Sequence, residues 1–164
     1  MDLERLWTPW RMEYMDSMSA DSSGCFLCDA LAADEDEKLL IVHRGEKAFV
    51  IMNAFPYNTG HLMIAPNRHV DELSKLDPGE RADLMEITSR AIEVIRAAIN
   101  PEGFNTGMNL GRIAGAGVPG HVHMHVVPRW GGDTNFMPIV GQTKVLPELL
   151  ADTAAKLRPG FAAS

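Results

Sequence analysis

The chain first shows itself as a run of short apolar stretches, separated by turn residues and interrupted by one long helical period. LLIVHR (39–44) and KAFVIMN (47–53) read as two strands joined at Gly45. AFPYNTG reverses the chain, and HLMIAP (61–66) reads as a third strand. A helix is predicted from DPGE onward, with Asp77 as cap, Pro78 in the first helical position and Glu80 completing a capping box. Leu84, Ile87, Ala91, Val94, Ile95 and Ala98 then recur at three-to-four spacing and define its apolar face, and Asn100-Pro101 stops it. FNTGMNL (104–110) predicts a fourth strand and GHVHMHVVPRW (120–130) a fifth. GCFLCDALAADEDEK predicts a turn and a short acidic helix, and the tail from Thr143 to Leu157 is partly helical, with Pro147 early in it. Five strands with one dominant helix between the third and fourth imply an α+β domain, its sheet mostly antiparallel and the helix on one face. In the fifth strand Val122, Met124 and Val126 then face the core while His121, His123 and His125 face outward.

Length and composition narrow the class. A chain of 164 residues suits one domain, with 46% hydrophobic and 23% charged residues as in a globular protein. No apolar run approaches the roughly 20 residues that span a bilayer, so no membrane role is expected. MDLERLWTPW does not read as a secretory signal, and with two cysteines the expectation is a reducing cytoplasm. The net charge of −7 argues against nucleic-acid binding, which needs a basic face, but leaves room for a small phosphorylated ligand. The first twenty-odd residues read as an arm in which Trp7, Pro9, Trp10 and Arg11 form an aromatic anchor or contribute to a ligand site.

The histidine row carries the chemistry. Residues two apart on a strand lie about 6.6 Å apart and residues four apart about 13 Å, whereas a zinc–nitrogen bond is about 2.0–2.1 Å long. One metal shared by all three histidines is therefore excluded on a straight strand, and the imidazoles must divide their tasks. A neutral imidazole is a nucleophile near its pKa of about 6.5, and attack on phosphorus splits one displacement into two easier ones. Its neighbours can hold the reactive tautomer and donate to phosphate oxygens, with Arg129 as a nearby cation. The glycine-rich NLGRIAGAGVPG before His121 suits a phosphate cradle, with Asn109 and Arg112 as side-chain contacts. Cys25 and Cys28 form half of a tetrahedral thiolate site, a redox pair or two buried thiols.

HVHMHVV followed by PR, together with AFVIMNAFPYNTGHLMIAPNRH upstream, resembles the histidine triad (HIT) family of nucleotide hydrolases and transferases over residues 24–135. The resemblance implies a HIT-like fold with an N-terminal arm (1–23) and a C-terminal extension (136–164). LWTPWRMEY and RWGGDTNFMPIVGQTKVLPELL are similar to the actinobacterial branch that acts as diadenosine tetraphosphate phosphorylases. What this implies is a nucleotidyltransferase that cleaves diadenosine tetraphosphate with inorganic phosphate, or a related hydrolase of dinucleotides or phosphoramidates. His123 is then the nucleophile and His125 binds phosphates. Asn53 holds the ribose, Phe26, Leu27 and Ile51 line the adenine slot, and Asn109 and Gly117 lie along the phosphates. His61 supports the triad from behind. Zinc-bearing relatives pair Cys-x-x-Cys with two histidines, which here implies a structural zinc on Cys25, Cys28, His69 and His121. The Gly-Gln-Ser/Thr-Val of many relatives is replaced by AGVPG, which fits a phosphorylase better than a hydrolase. The family also implies a homodimer, and the branch a homotetramer.

Overall fold

The computed structural model describes residues 24–134 and 145–162. The predicted N-terminal anchor and Thr143 lie outside these residues. Two short helices, α1 (Phe26–Ala32) and α2 (Asp36–Leu39), lead into strands β1 (Ile41–Arg44), β2 (Ala48–Met52) and β3 (Leu62–Pro66). The long helix α3 (Pro78–Ile99) is followed by β4 (Gly103–Gly107) and β5 (Met124–Arg129), and helix α4 spans Leu150–Ala162. The strands form one sheet in the order β1-β2-β3-β5-β4, antiparallel throughout. The α+β expectation therefore holds.

Several predicted boundaries shift for local reasons. Leu39 ends α2, and Leu40 caps it in a left-handed conformation (φ 61°), so β1 begins only at Ile41. The fifth strand is shorter than predicted: it begins at Met124, so His121 and His123 precede it. Pro147 lies ahead of α4.

The sheet is buried on both faces. Val50, Met52, Leu62, Ile64, Val122 and Val126 pack against Leu84, Ala91 and Ile95 of α3 and Leu157 and Phe161 of α4. On the other face Phe49, Ile51, Met63 and Ala65 pack against Leu27 and Ala30 of α1. Burying a side chain such as Leu84 or Ile95 contributes roughly 1.5–3 kcal/mol. Val122 and Val126 do face the α3 core, with Met124 partly buried against it, but the three histidines do not face solvent. They lie buried on the α1 face, at 0, 3 and 9% exposure for His121, His123 and His125. Ala98 of the predicted helix face is exposed, and Ile99, one residue on, packs against the core.

The start of α3 matches its expected capping box. The Glu80 N–H donates to the Asp77 carboxylate at 2.8 Å, and the Asp77 N–H donates to the Glu80 carboxylate at 2.8 Å. The box also grips Arg68, whose guanidinium donates to both Glu80 oxygens at 2.8 and 2.7 Å and so fixes the chain just before His69. Asp77→Ala should lower stability by about 1 kcal/mol in urea titrations. Arg68, above all, holds the Glu80 carboxyl down to about 2 from the usual 4.5. A lowered carboxyl stabilises the fold fully above its unfolded pKa and ceases to as the pH falls through its folded one. The stability gap between the wild type and Glu80→Gln should therefore narrow from pH 4.5 down to about 2; a gap constant over that range would contradict this.

Candidate active site

All but His43 of the six histidines gather on the α1 face of the sheet. The backbone assembles them from three segments. In the sheet His125 lies opposite Met63 on one side and Gly107 on the other. His61 ends the loop before β3, and its main-chain carbonyl accepts from the Asn53 N–H at 2.9 Å. The segments carrying His69 and His121 are tied by a hydrogen bond from the Val122 N–H to the Val70 carbonyl at 2.7 Å.

Four imidazoles can be assigned a proton, three of them directly from main-chain partners, because a carbonyl only accepts and a backbone N–H only donates. His123 donates from Nδ1 to the His121 carbonyl at 2.8 Å, so in its neutral form Nε2 keeps the lone pair. Burial holds His123 below the ordinary histidine pKa, although its bond to that carbonyl works the other way. The ring therefore presents an unprotonated nitrogen at neutral pH. His61 accepts at Nδ1 from the Tyr57 N–H at 3.0 Å, so its proton sits on Nε2 and is donated to His125 Nδ1 at 2.9 Å. Burial first, then the neighbouring His125 and His123, push His61 down to about 3, so it stays neutral. His125, accepting at Nδ1, then carries its proton on Nε2. Its ring meets that of His123 edge-on, with centroids 4.8 Å apart.

His121 turns the other way. Its Nε2 donates to the Pro66 carbonyl at 2.8 Å, which leaves Nδ1 as a lone pair facing Cys25 Sγ at 3.4 Å and Cys28 Sγ at 3.5 Å. His69 Nδ1 lies 3.3 Å from Cys28 Sγ. All four ligand atoms fall within 4.8 Å of one another. A tetrahedral zinc with bonds of about 2.3 Å to sulfur and 2.0–2.1 Å to nitrogen separates S and N by roughly 3.6 Å, so the residues present fit such an ion. The donor set points the same way: burial first, and then Cys25, push the Cys28 thiol up to about 11, so a second thiolate here calls for a cation. The cluster could bind a metal, and the convergence of two histidines on the cysteines favours this over a redox pair.

The remaining predicted residues are distributed around this centre. Asn53 directly follows β2; its amide nitrogen lies 3.4 Å from His61 Nδ1, and its oxygen accepts from the Phe55 N–H at 2.9 Å. Leu27 and Ile51 are fully buried in the α1-side cluster, whereas Phe26 is exposed. Asn109 donates to the Gly115 carbonyl at 3.0 Å and so folds the glycine-rich loop on itself, with Gly117 half-buried and Arg112 exposed. Arg129 is not a spare cation for phosphates. Its guanidinium donates to both Asp133 oxygens, at 2.6 and 2.9 Å, and to the Asn105 side chain at 2.7 Å. Nothing in the sequence pattern singled out Tyr57, Asn58 or Asp133, because their partners are distant in the chain or are backbone groups.

The HIT domain model matches residues 35–132. The chain is 44% identical over 166 residues to an AP-4-A phosphorylase of Mycobacterium tuberculosis, covering 98% of this chain and 85% of that protein. It is 32% identical over 93 residues to an asymmetrical bis(5'-nucleosyl)-tetraphosphatase of Schizosaccharomyces pombe, covering 57% of this chain and 50% of that one. Among solved structures, a zinc-bound histidine triad family protein from Mycobacterium smegmatis superposes with a TM-score of 0.69 at 23% identity, over 87% of this chain and 96% of that one. Fold, histidine row and sequence agree, and the chain belongs to the HIT family.

Proposed function

We propose that this protein cleaves diadenosine tetraphosphate by phosphorolysis, through an adenylylated His123. The observation that carries the reading is the state of His123: neutral, buried, and with Nε2 left as a lone pair by the Nδ1 bond to the His121 carbonyl. The likeness of 44% to the mycobacterial AP-4-A phosphorylase supplies the substrate class. His123 Nε2 attacks the α-phosphorus, a P–N bond forms, and the bond from that phosphorus to the bridging oxygen breaks, releasing ATP. Inorganic phosphate then attacks the same phosphorus, the P–N bond breaks, and ADP leaves with His123 restored. His125 donates from Nε2 to phosphate oxygens as charge shifts onto them.

Asn53 at the end of β2 is assigned to the ribose hydroxyls, Phe26, Leu27 and Ile51 to the base, and Asn109 and Gly117 to the phosphates. Cys25, Cys28, His69 and His121 are assigned to a structural zinc. When bound it would supply no chemistry at phosphorus; it would cross-link the start of α1 to the two histidine segments. The exposed edge strand β4 suits pairing with a second copy of the chain. Among the described residues no helix is long and apolar enough to cross a membrane. AGVPG in place of a polar Gln-hydroxyl segment before His121 favours phosphate over water as the second nucleophile.

The test is diadenosine tetraphosphate with and without inorganic phosphate, with nucleotides resolved by chromatography. ADP plus ATP formed only with phosphate is the expected result. AMP plus ATP formed without it would make the protein a hydrolase, and tight binding with no turnover would make it a nucleotide-binding module.

A further inference from the structure

The loop joining β2 to β3, residues 53–60, is pinned along its length. Asn53 closes a turn on the Phe55 N–H. Asn58 is buried and donates from one amide nitrogen to the Pro128 carbonyl at 3.1 Å and to Asp133 at 2.7 Å. Asp133 is itself held by Arg129 and by the Trp130 N–H. Gly60 closes the loop at φ 77°, where a Cβ would stand 2.7 Å from Ile99 Cδ1. This framework presents Tyr57. Its ring packs against His61 at a centroid distance of 4.6 Å, tilted by 43°, and against His125 at 5.9 Å, inclined by 26°, yet the residue remains 44% exposed. A side chain serving the core alone would be buried; this one packs against both imidazoles of the hydrogen-bonded pair.

We propose that Tyr57 is a positioning residue for His125, acting through His61: its main-chain N–H selects the Nε2–H tautomer of His61, and its ring shields the His61–His125 hydrogen bond from water. Two neutral imidazoles can share a proton in either direction. The reverse arrangement, with His125 donating from Nδ1, requires a proton on His61 Nδ1. That nitrogen already faces the Tyr57 N–H at 3.0 Å, with the Asn53 amide nitrogen at 3.4 Å, so a third proton there would set donor against donor. Losing that hydrogen bond and burying an unsatisfied donor disfavours the reverse tautomer by roughly ten- to a hundredfold. His125 is thereby held as a donor at Nε2, the form that meets phosphate oxygens. The ring keeps water from competing for the imidazole pair, so the donor stays aimed as well as protonated.

The kinetic part of this inference rests on the phosphorolysis reading; the tautomer part does not. The test is nitrogen-15 histidine NMR on the purified protein, alongside turnover of diadenosine tetraphosphate, for the wild type, Tyr57→Phe, Tyr57→Ala and Tyr57→Pro. In the wild type His61 and His125 should both carry their proton on Nε2. Tyr57→Phe keeps the ring and the main-chain N–H, so the tautomers of His61 and His125 and the His61 exchange rate should match the wild type. Tyr57→Ala keeps only the N–H: the tautomers should persist, while the His61 Nε2–H exchanges with water about tenfold faster. Its kcat should fall about ten- to a hundredfold with KM little changed, as expected for a misaimed donor. Tyr57→Pro removes the N–H and should mix the tautomers. A wild-type His61 protonated at Nδ1 would overturn the main-chain half, and a Tyr57→Ala protein with wild-type exchange and kcat would overturn the ring half. If the wild type does not turn over this substrate, the functional reading falls, and tautomers and exchange still decide the role of Tyr57.

Discussion

His123→Ala is expected to lower turnover of diadenosine tetraphosphate by at least about a thousandfold, because the proposed two-step route through a covalent intermediate would lose its nucleophile. Alternative nucleophiles are poorly placed to replace it. His121 donates from Nε2 to Pro66 and turns Nδ1 to the cysteines, and His61 is buried behind His125. The loss must be separated from unfolding, since His123 is only 3% exposed and its removal leaves a space in the sheet's α1 face. Circular dichroism and thermal melts of the variant serve that purpose. A folded His123→Ala protein with wild-type activity would place the nucleophile elsewhere. Mass spectrometry of the wild type mixed with substrate in the absence of phosphate should show one added adenylyl group, and the variant none. A pulse of phosphate should remove it and release ADP.

The second large effect concerns the four-ligand cluster. If the proposed zinc occupies this cluster, Cys28→Ser is expected to abolish stoichiometric metal in the purified protein and to cost at least about 3 kcal/mol of stability, the scale seen when a structural metal is lost. Cys28 belongs to α1, whose Leu27 and Ala30 cover the sheet, while His69 and His121 belong to segments far away in the chain. Losing the link between them should loosen α1 and the histidine segments together. The expected readout is a lower melting temperature that added zinc does not restore, whereas chelated wild-type protein regains its stability with zinc. Acid should release the metal, because the thiolates and imidazoles must take up protons as it leaves. Metal-free wild-type protein that melts at the same temperature as zinc-loaded protein would remove the structural role from this cluster.

Much of the scaffold was legible in the linear pattern because its causes are local. Strands β2 and β3 are bounded by turn residues and carry continuous apolar runs, and α3 announces itself through Asp77, Pro78 and Glu80 before its periodic face begins. Boundaries slipped where a single backbone conformation decided them, as at Leu40, whose left-handed turn cuts two residues from the predicted first strand. Alternation correctly put Val122 and Val126 on the α3 side, with Met124 partly buried there, and wrongly opened the histidine side to solvent. The period of a strand separates two faces; it does not say whether something covers the second one. Here Cys25 and Cys28 at the start of α1 meet His121, and Tyr57 packs against His61 and His125; burial also lowers the pKa of His123.

The sequence by itself determined which residue types stood ready: three imidazoles in alternation, two cysteines with two residues between them, a capped helix and a set of short strands. His121 and His123 stand before the strand begins, and the three rings meet different partners: His121 faces the cysteines, His123 bonds to the His121 carbonyl, and His125 bonds to His61. Only the tertiary structure decided which nitrogen of each ring is bare. Those answers come from the Pro66 carbonyl, the His121 carbonyl and the Tyr57 N–H, main-chain groups that every residue possesses and that no pattern of side chains can distinguish. A proton on imidazole is placed by whatever lies within hydrogen-bonding reach, and reach is a property of the folded chain alone.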